Sequence, residues 1–95
     1  MALGDVISAT ASLGTGTLCS IQPGEGVEWL IHNIGHEAEA ELYFYDGANS
    51  ILMDSDTAGG AWIGLFLHCT NSKYYQIKNT NAETKLVSYD GVVTK

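Results

Sequence analysis

The chain has 95 residues, of which 45% are hydrophobic and 16% are charged. This composition is typical of a globular protein, and the length predicts one domain that spans residues 1–95. Eleven acidic residues against four lysines, with no arginine, give a net charge of −7. A nucleic-acid site displaces phosphate counterions with cationic side chains, so this charge argues against a nucleic-acid partner.

The sequence also disfavours membrane insertion and secretion. No apolar run approaches the roughly 20 residues of a membrane span, so we expect no membrane partner. The segment Met1–Asp5 has neither the charged nor the apolar region of a secretory signal, which predicts synthesis in a cytoplasm. Cys19 and Cys69 lie within apolar runs, which favours two small buried side chains. Whether the two cysteines lie close together is left open, because a disulfide needs Cα atoms within about 7 Å.

Short segments of β-prone residues follow one another along the chain, separated by turn signals such as Pro23-Gly24-Glu25-Gly26 and Asp46-Gly47. The predicted strands are residues 5–12, 17–22, 27–34, 39–45, 51–53, 61–68, 74–78 and 84–89, with residues 92–94 pairing after a break at Asp90-Gly91. About eight short strands at this spacing predict an all-β protein, a small antiparallel β-sandwich of jelly-roll-like type. The segment Glu37–Leu42 contains good helix formers, so a helical turn stays open there.

The alternation within each strand predicts which side chains form the core. The expected core residues are Val27, Trp29, Ile31, Leu42, Phe44, Ile63, Leu65, Leu67, Tyr75, Ile77, Val87 and Tyr89. Residues 54–60 are polar and rich in glycine, and we expect a loop there.

Residues that could carry chemistry are present, but their spacing matches no known site. A zinc set can be drawn from His32, His36, His68 and Cys69. No Cys-x-x-Cys pair or helical His pair supports it. The segment Asp54-Ser55-Asp56 resembles the start of a calcium loop, yet the glutamate that closes an EF-hand loop is missing. We therefore expect no catalytic residue, no metal and no cofactor.

Three stretches together carry a family resemblance. They are residues 23–34, with proline–glycine, then tryptophan, then Asn-Ile; residues 42–47, with a Tyr-Asp-Gly hairpin; and residues 71–79 with 89–92, which begin Asn-Ser-x-Tyr. This resembles small β-sandwich virion proteins of tailed bacteriophages, and the likeness covers most of residues 21–92. Its motifs are features of strands and turns, so no chemical residue is carried over.

The resemblance implies a structural virion protein without catalytic activity. Such proteins decorate or cement the capsid, so the expected partner is the major capsid protein and the expected location is the capsid surface of a phage head. The resemblance also implies a homo-oligomer, with a homotrimer favoured. A phage tail or neck component is the alternative within the virion.

A carbohydrate-binding module is the alternative from a different functional class. Its aromatic platform would come from Tyr43, Tyr45, Tyr74, Tyr75, Tyr89, Trp29 and Trp62. The other interpretation is that these aromatic side chains fill the core and a protein interface, where tyrosine and tryptophan are enriched.

Two predicted strands, residues 27–34 and 61–68, are apolar on both faces, although a two-layer domain has one interior. If the core faces are assigned as above, the opposite faces point outward. The predicted partner surface, which would hold the homo-oligomer together, consists of Leu30, Ile34, Tyr43, Tyr45, Trp62 and Phe66. The alternative is a reversed assignment of faces, or a covering loop at residues 54–60.

Overall fold

The structure, a computed structural model, describes residues 2–95. Met1, the first residue of the segment without the features of a secretory signal, lies outside the described residues. The described residues form nine β-strands. These are β1 (Val6–Leu13), β2 (Leu18–Ile21), β3 (Trp29–His36), β4 (Ala40–Tyr45), β5 (Ser50–Asp56), β6 (Gly60–Trp62), β7 (Leu67–Cys69), β8 (Tyr74–Asn79) and β9 (Lys85–Val93). No helix within residues 2–95 is long and apolar enough to span a bilayer.

The strands form two antiparallel sheets. The first has the order β1-β9-β3-β6, and β7 also pairs with β3, beside the other half of that strand. The second has the order β2-β8-β4-β5. The predicted all-β fold with two antiparallel sheets is therefore confirmed.

The core lies between the two sheets. Its buried hydrophobic residues are Ile7, Leu13, Ile21, Ile31, Ile34, Ala40, Leu42, Cys69, Ile77, Val87 and Val93. Four of the predicted core residues are in this set, and six more pack partly buried against it. Phe44 is half-buried. The prediction is wrong for Ile63, whose side chain is 75% exposed.

A β-bulge in β3 reverses the alternation that the sequence shows. Ile31 pairs with Gly91 and Asn33 pairs with Asp90, so His32 has no direct partner on β9. The extra residue turns the second half of the strand over, and Ile31 and Ile34 both enter the core. A strand without a bulge would place these two side chains on opposite faces.

Gly91 stands opposite this bulge and is buried. A Cβ atom at this position would collide with the carbonyl oxygen of Leu30 and lie 2.8 Å from the Cα atom of Ile31. The sequence predicted a break at Asp90-Gly91, but these two residues lie inside β9. Glycine is needed there because the two backbones approach closely.

The apolar segment 61–68 is not one strand. β6 and β7 are separated by residues 63–66, whose Leu65 amide donates to the carbonyl of His32 over 2.8 Å. Gly64 has a φ of 68°, a left-handed conformation that interrupts the extended chain. The predicted loop at 54–60 starts later than expected, because β5 continues to Asp56. The helical turn left open at residues 37–42 does not form.

Candidate interaction surface

The six predicted surface residues do not form one surface. Ile34 is fully buried, because the bulge at His32 turns it into the core. Trp62 pairs with Ile34 across the sheet, shares its inward face and packs on His36, with ring centroids 4.5 Å apart. Leu30, next to the buried Ile31, lies half-buried on the outer side of the first sheet. The assignment of Ile34 and Trp62 to an outer face was wrong.

Tyr43 and Tyr45 lie on the outer side of the second sheet, since they alternate with Leu42, which is in the core. They are thus on the opposite side of the sandwich from Leu30. The Tyr43 hydroxyl donates to Glu41 over 2.7 Å, and this hydrogen bond raises the pKa of Tyr43. Tyr45 opposes Tyr74, with ring centroids 5.2 Å apart and the planes inclined by 47°.

Nine large apolar side chains of the described residues are exposed, and five of them lie along one edge of the sandwich. We call this surface the apolar rim and define it as Ile51, Leu52 and Met53 of β5 with Ile63 and Phe66 of the loop between β6 and β7. The three β5 side chains are about half exposed, and Phe66 is 79% exposed. Phe66 is the one predicted surface residue that the rim includes.

Side-chain contacts bring the two segments of the rim to the same edge. The indole nitrogen of Trp62 donates to Asp54 over 2.9 Å, and Met53 and Ile63 are the chain neighbours of this pair. Phe66 lies against the ring of His32 in an edge-on arrangement, with centroids 5.9 Å apart. The loop backbone is thus fixed to β3, while the side chains of Ile63 and Phe66 stay exposed.

His36 forms a second link between the sheets beneath the rim. Its side chain is 1% exposed and its Nδ1 lies 2.9 Å from the carbonyl oxygen of Ala38. A carbonyl oxygen accepts hydrogen bonds, so Nδ1 carries the proton. Nε2 lies 2.9 Å from Asp56 Oδ2. β5 of the second sheet thus contacts the first sheet through two side chains, Asp54 at Trp62 of β6 and Asp56 at His36 of β3.

The residues considered for metal binding are dispersed. Nδ1 of His32 lies 3.1 Å from the Leu65 carbonyl, and Nε2 of His68 lies 2.8 Å from Glu28. Asp54 and Asp56 contact Trp62 and His36 respectively. Within residues 2–95, no three histidine, cysteine, aspartate or glutamate side chains are grouped to hold an ion.

Both cysteines are free thiols, Cys69 buried and Cys19 partly buried. Burial raises the pKa of Cys69 to about 11, and it also raises the pKa of Cys19. A thiol with a raised pKa is mostly protonated at neutral pH and is a poor nucleophile. The interpretation of these cysteines as small buried side chains agrees with this environment, although Cys19 is only partly buried.

No protein-family model and no curated protein sequence matches this chain.

Proposed function

We propose that the protein is a structural virion protein of a tailed bacteriophage, a decoration or cement protein that binds the major capsid protein. It would stabilise the phage head through protein–protein contacts and reside on the capsid surface. The proposal rests on the resemblance of residues 21–92 to small virion proteins, and the fold of two antiparallel sheets is compatible with it.

The apolar rim is the observation that carries the proposal. It exposes five large apolar side chains on a small acidic protein. Fully burying a large apolar side chain is worth about 1.5–3 kcal/mol, and the half-exposed β5 side chains would gain roughly half of that, so a partner that covers the rim gains binding energy. Phe66 is the most exposed of the five and would act as an anchor, since interface energy concentrates in a few large side chains.

The test is binding to capsids from which the protein has been stripped. Replacing Leu52 and Phe66 with serine should weaken co-sedimentation with capsids at least about tenfold, the equivalent of 1.4 kcal/mol. Leu3→Ser is the matched control, because Leu3 is 71% exposed and lies outside the strands. The proposal would be abandoned if the wild-type protein did not bind capsids, or if the folded double variant bound like the control. Binding to tails instead of heads would establish the tail or neck alternative.

The aromatic side chains on the outer side of the second sheet favour carbohydrate binding as a second candidate. The Tyr45–Tyr74 pair lies near Tyr43, which lines a shallow depression of about 250 Å³ together with Leu18 and Lys78. A glycan array of the wild-type protein and of Tyr74→Ala tests this candidate. Specific glycan signals that the variant loses would support it, and an array without signals would eliminate it.

A further inference from the structure

The outer edge of β1 differs from every other sheet edge in the described part of the chain. β5 carries a bulge at Met53 and two acidic residues, Asp54 and Asp56. β2 has four residues, and β6 and β7 have three each. Bulges, charges and short strands are the features by which proteins prevent edge-to-edge pairing. β1 has eight residues in unbroken register, with no charged residue and no proline.

The backbone of β1 presents hydrogen-bonding groups on its outer side. Val93 donates to the carbonyl of Asp5, and Leu86, opposite Ser12, accepts from Glu37 on the other side of β9. In an antiparallel ladder the bonded residues alternate, so the even-numbered residues of β1 direct N–H and C=O away from β9. Between residues 2 and 95, no protein group bonds to the backbone of these residues, which are Val6, Ser8, Thr10 and Ser12.

We propose that β1 pairs with β1 of a second copy of this chain, in antiparallel orientation about a two-fold axis at Thr10. This register places Thr10 opposite Thr10 of the second copy, and Ser8 opposite Ser12, with all these hydroxyls on the outer face. On the inner face, Ile7 lies opposite Leu13 and Ala9 opposite Ala11. Like side chains thus meet on both faces, and opposed Thr and Ser side chains stabilise cross-strand pairs.

Other registers are less favourable. A shift by one residue places inner side chains opposite outer ones, which a continuous sheet does not allow. Centring the axis on Ala9 places Leu13 opposite Asp5, an apolar side chain against a carboxylate. Both the Thr10 and the Ala9 register place even-numbered residues opposite even-numbered residues and so join the outward-directed backbone groups; the side-chain pairs decide between them.

A two-fold contact closes after two copies, so this edge builds a dimer and not the trimer that the resemblance favours. The first sheet of one copy and the first sheet of the other become one continuous sheet across the dimer. The pairing is independent of the proposed capsid role, because it follows from the edge of β1 alone. It can be tested without capsids or any ligand.

Cysteine cross-linking tests the register. Thr10→Cys should form a covalent dimer under mild oxidation, since opposed Cα atoms in an antiparallel sheet lie about 5.5 Å apart, within disulfide range. Ser8→Cys and Ser12→Cys should each cross-link poorly alone and efficiently when mixed. Ser20→Cys, exposed on β2 of the other sheet, is the control, and the wild type gives the background from Cys19. Equal cross-linking rates for Thr10→Cys and Ser20→Cys would overturn the proposal.

The mass in solution gives an independent test. Thr10→Lys places two ammonium groups next to each other on the axis and should halve the mass measured by sedimentation over a concentration series. Ser20→Lys adds the same charge elsewhere and should keep the wild-type mass. A folded Thr10→Lys variant with the wild-type mass, or a monomeric wild type whose Thr10→Cys variant does not cross-link, would refute the β1 contact.

Discussion

Asn79 is a buried polar side chain whose hydrogen bonds tie three parts of the chain together. Its amide nitrogen donates to the carbonyls of Leu13 and Glu83 over 2.8 and 2.9 Å. Its oxygen accepts from the backbone of Asn81 over 2.8 Å. The end of β1 and the turn between β8 and β9 are therefore held by one side chain.

Replacing Asn79 with alanine should lower the free energy of unfolding by about 3 kcal/mol, because buried backbone groups lose their partners. Asn71→Ala is the control, since Asn71 is exposed and its side chain makes one hydrogen bond, to the carbonyl of Pro23. Its loss should cost less than about 1 kcal/mol. Urea denaturation of both variants measures the difference, and equal losses would contradict this role of Asn79.

Cys69 gives the protein a dependence on alkaline pH. Burial raises the pKa of its thiol to about 11 in the folded protein, against about 8.5 in an unfolded chain. The fold favours the protonated thiol, so this contribution to stability is complete below pH 8.5 and is lost as the pH rises to about 11. Burial raises the pKa values of Tyr75 and Tyr89 as well, which acts in the same direction.

We therefore expect the free energy of unfolding to fall between about pH 8.5 and 11, and to fall less steeply in Cys69→Ala. The variant removes the titrating thiol, while any cost of the smaller side chain is present at all pH values. Denaturation series at several pH values measure both slopes. Parallel slopes for wild type and variant would show that Cys69 does not contribute.

At the scale of the element, the bulge of β3 and Gly91 of β9 form one unit. Gly91→Ala should destabilise the protein by about 2–3 kcal/mol, because the added methyl group collides with the backbone of Leu30 and Ile31. Gly24→Ala is the matched control, since a Cβ atom there would have no neighbour within 4 Å among the described residues. Thermal unfolding of the two variants makes the comparison. A Gly91→Ala variant as stable as the control would mean that the bulge relaxes at little cost.

The strands that alternate regularly could be predicted from the sequence, and the bulge could not. Leu42 and Ile77 are buried as their period-two patterns predict. The bulge adds one residue at His32 without changing the alternating pattern of residue types, so Ile34 was assigned to the wrong face. Sequence alternation locates a strand, but its register against β9 depends on tertiary pairing.

At the scale of the whole molecule, the two sheets could be predicted, and most of the candidate surface could not. The run of apolar residues at 61–68 has the composition of a buried strand, yet the chain turns at Gly64 and leaves Ile63 and Phe66 exposed. Gly64 was the one local signal for this turn. The exposure of Ile51, Leu52 and Met53 follows from the position of β5 at the edge of its sheet, which is a property of the topology.

The pairing of β1 with β9 also sets the order in which the protein can fold during synthesis. Of the nine described strands, β1 is the first to be synthesised, and its one neighbour in the sheet is the last. β3 also pairs with this late strand, so the first sheet cannot be completed until β9 has been synthesised, although β3 can pair with β6 and β7 earlier. Contacts this distant in sequence make folding slow, in the range of milliseconds to seconds for all-β proteins. Until β9 is available, both edges of β1 are unpaired. A strand of another nascent chain could then pair with β1 at the edge that β9 occupies in the folded protein.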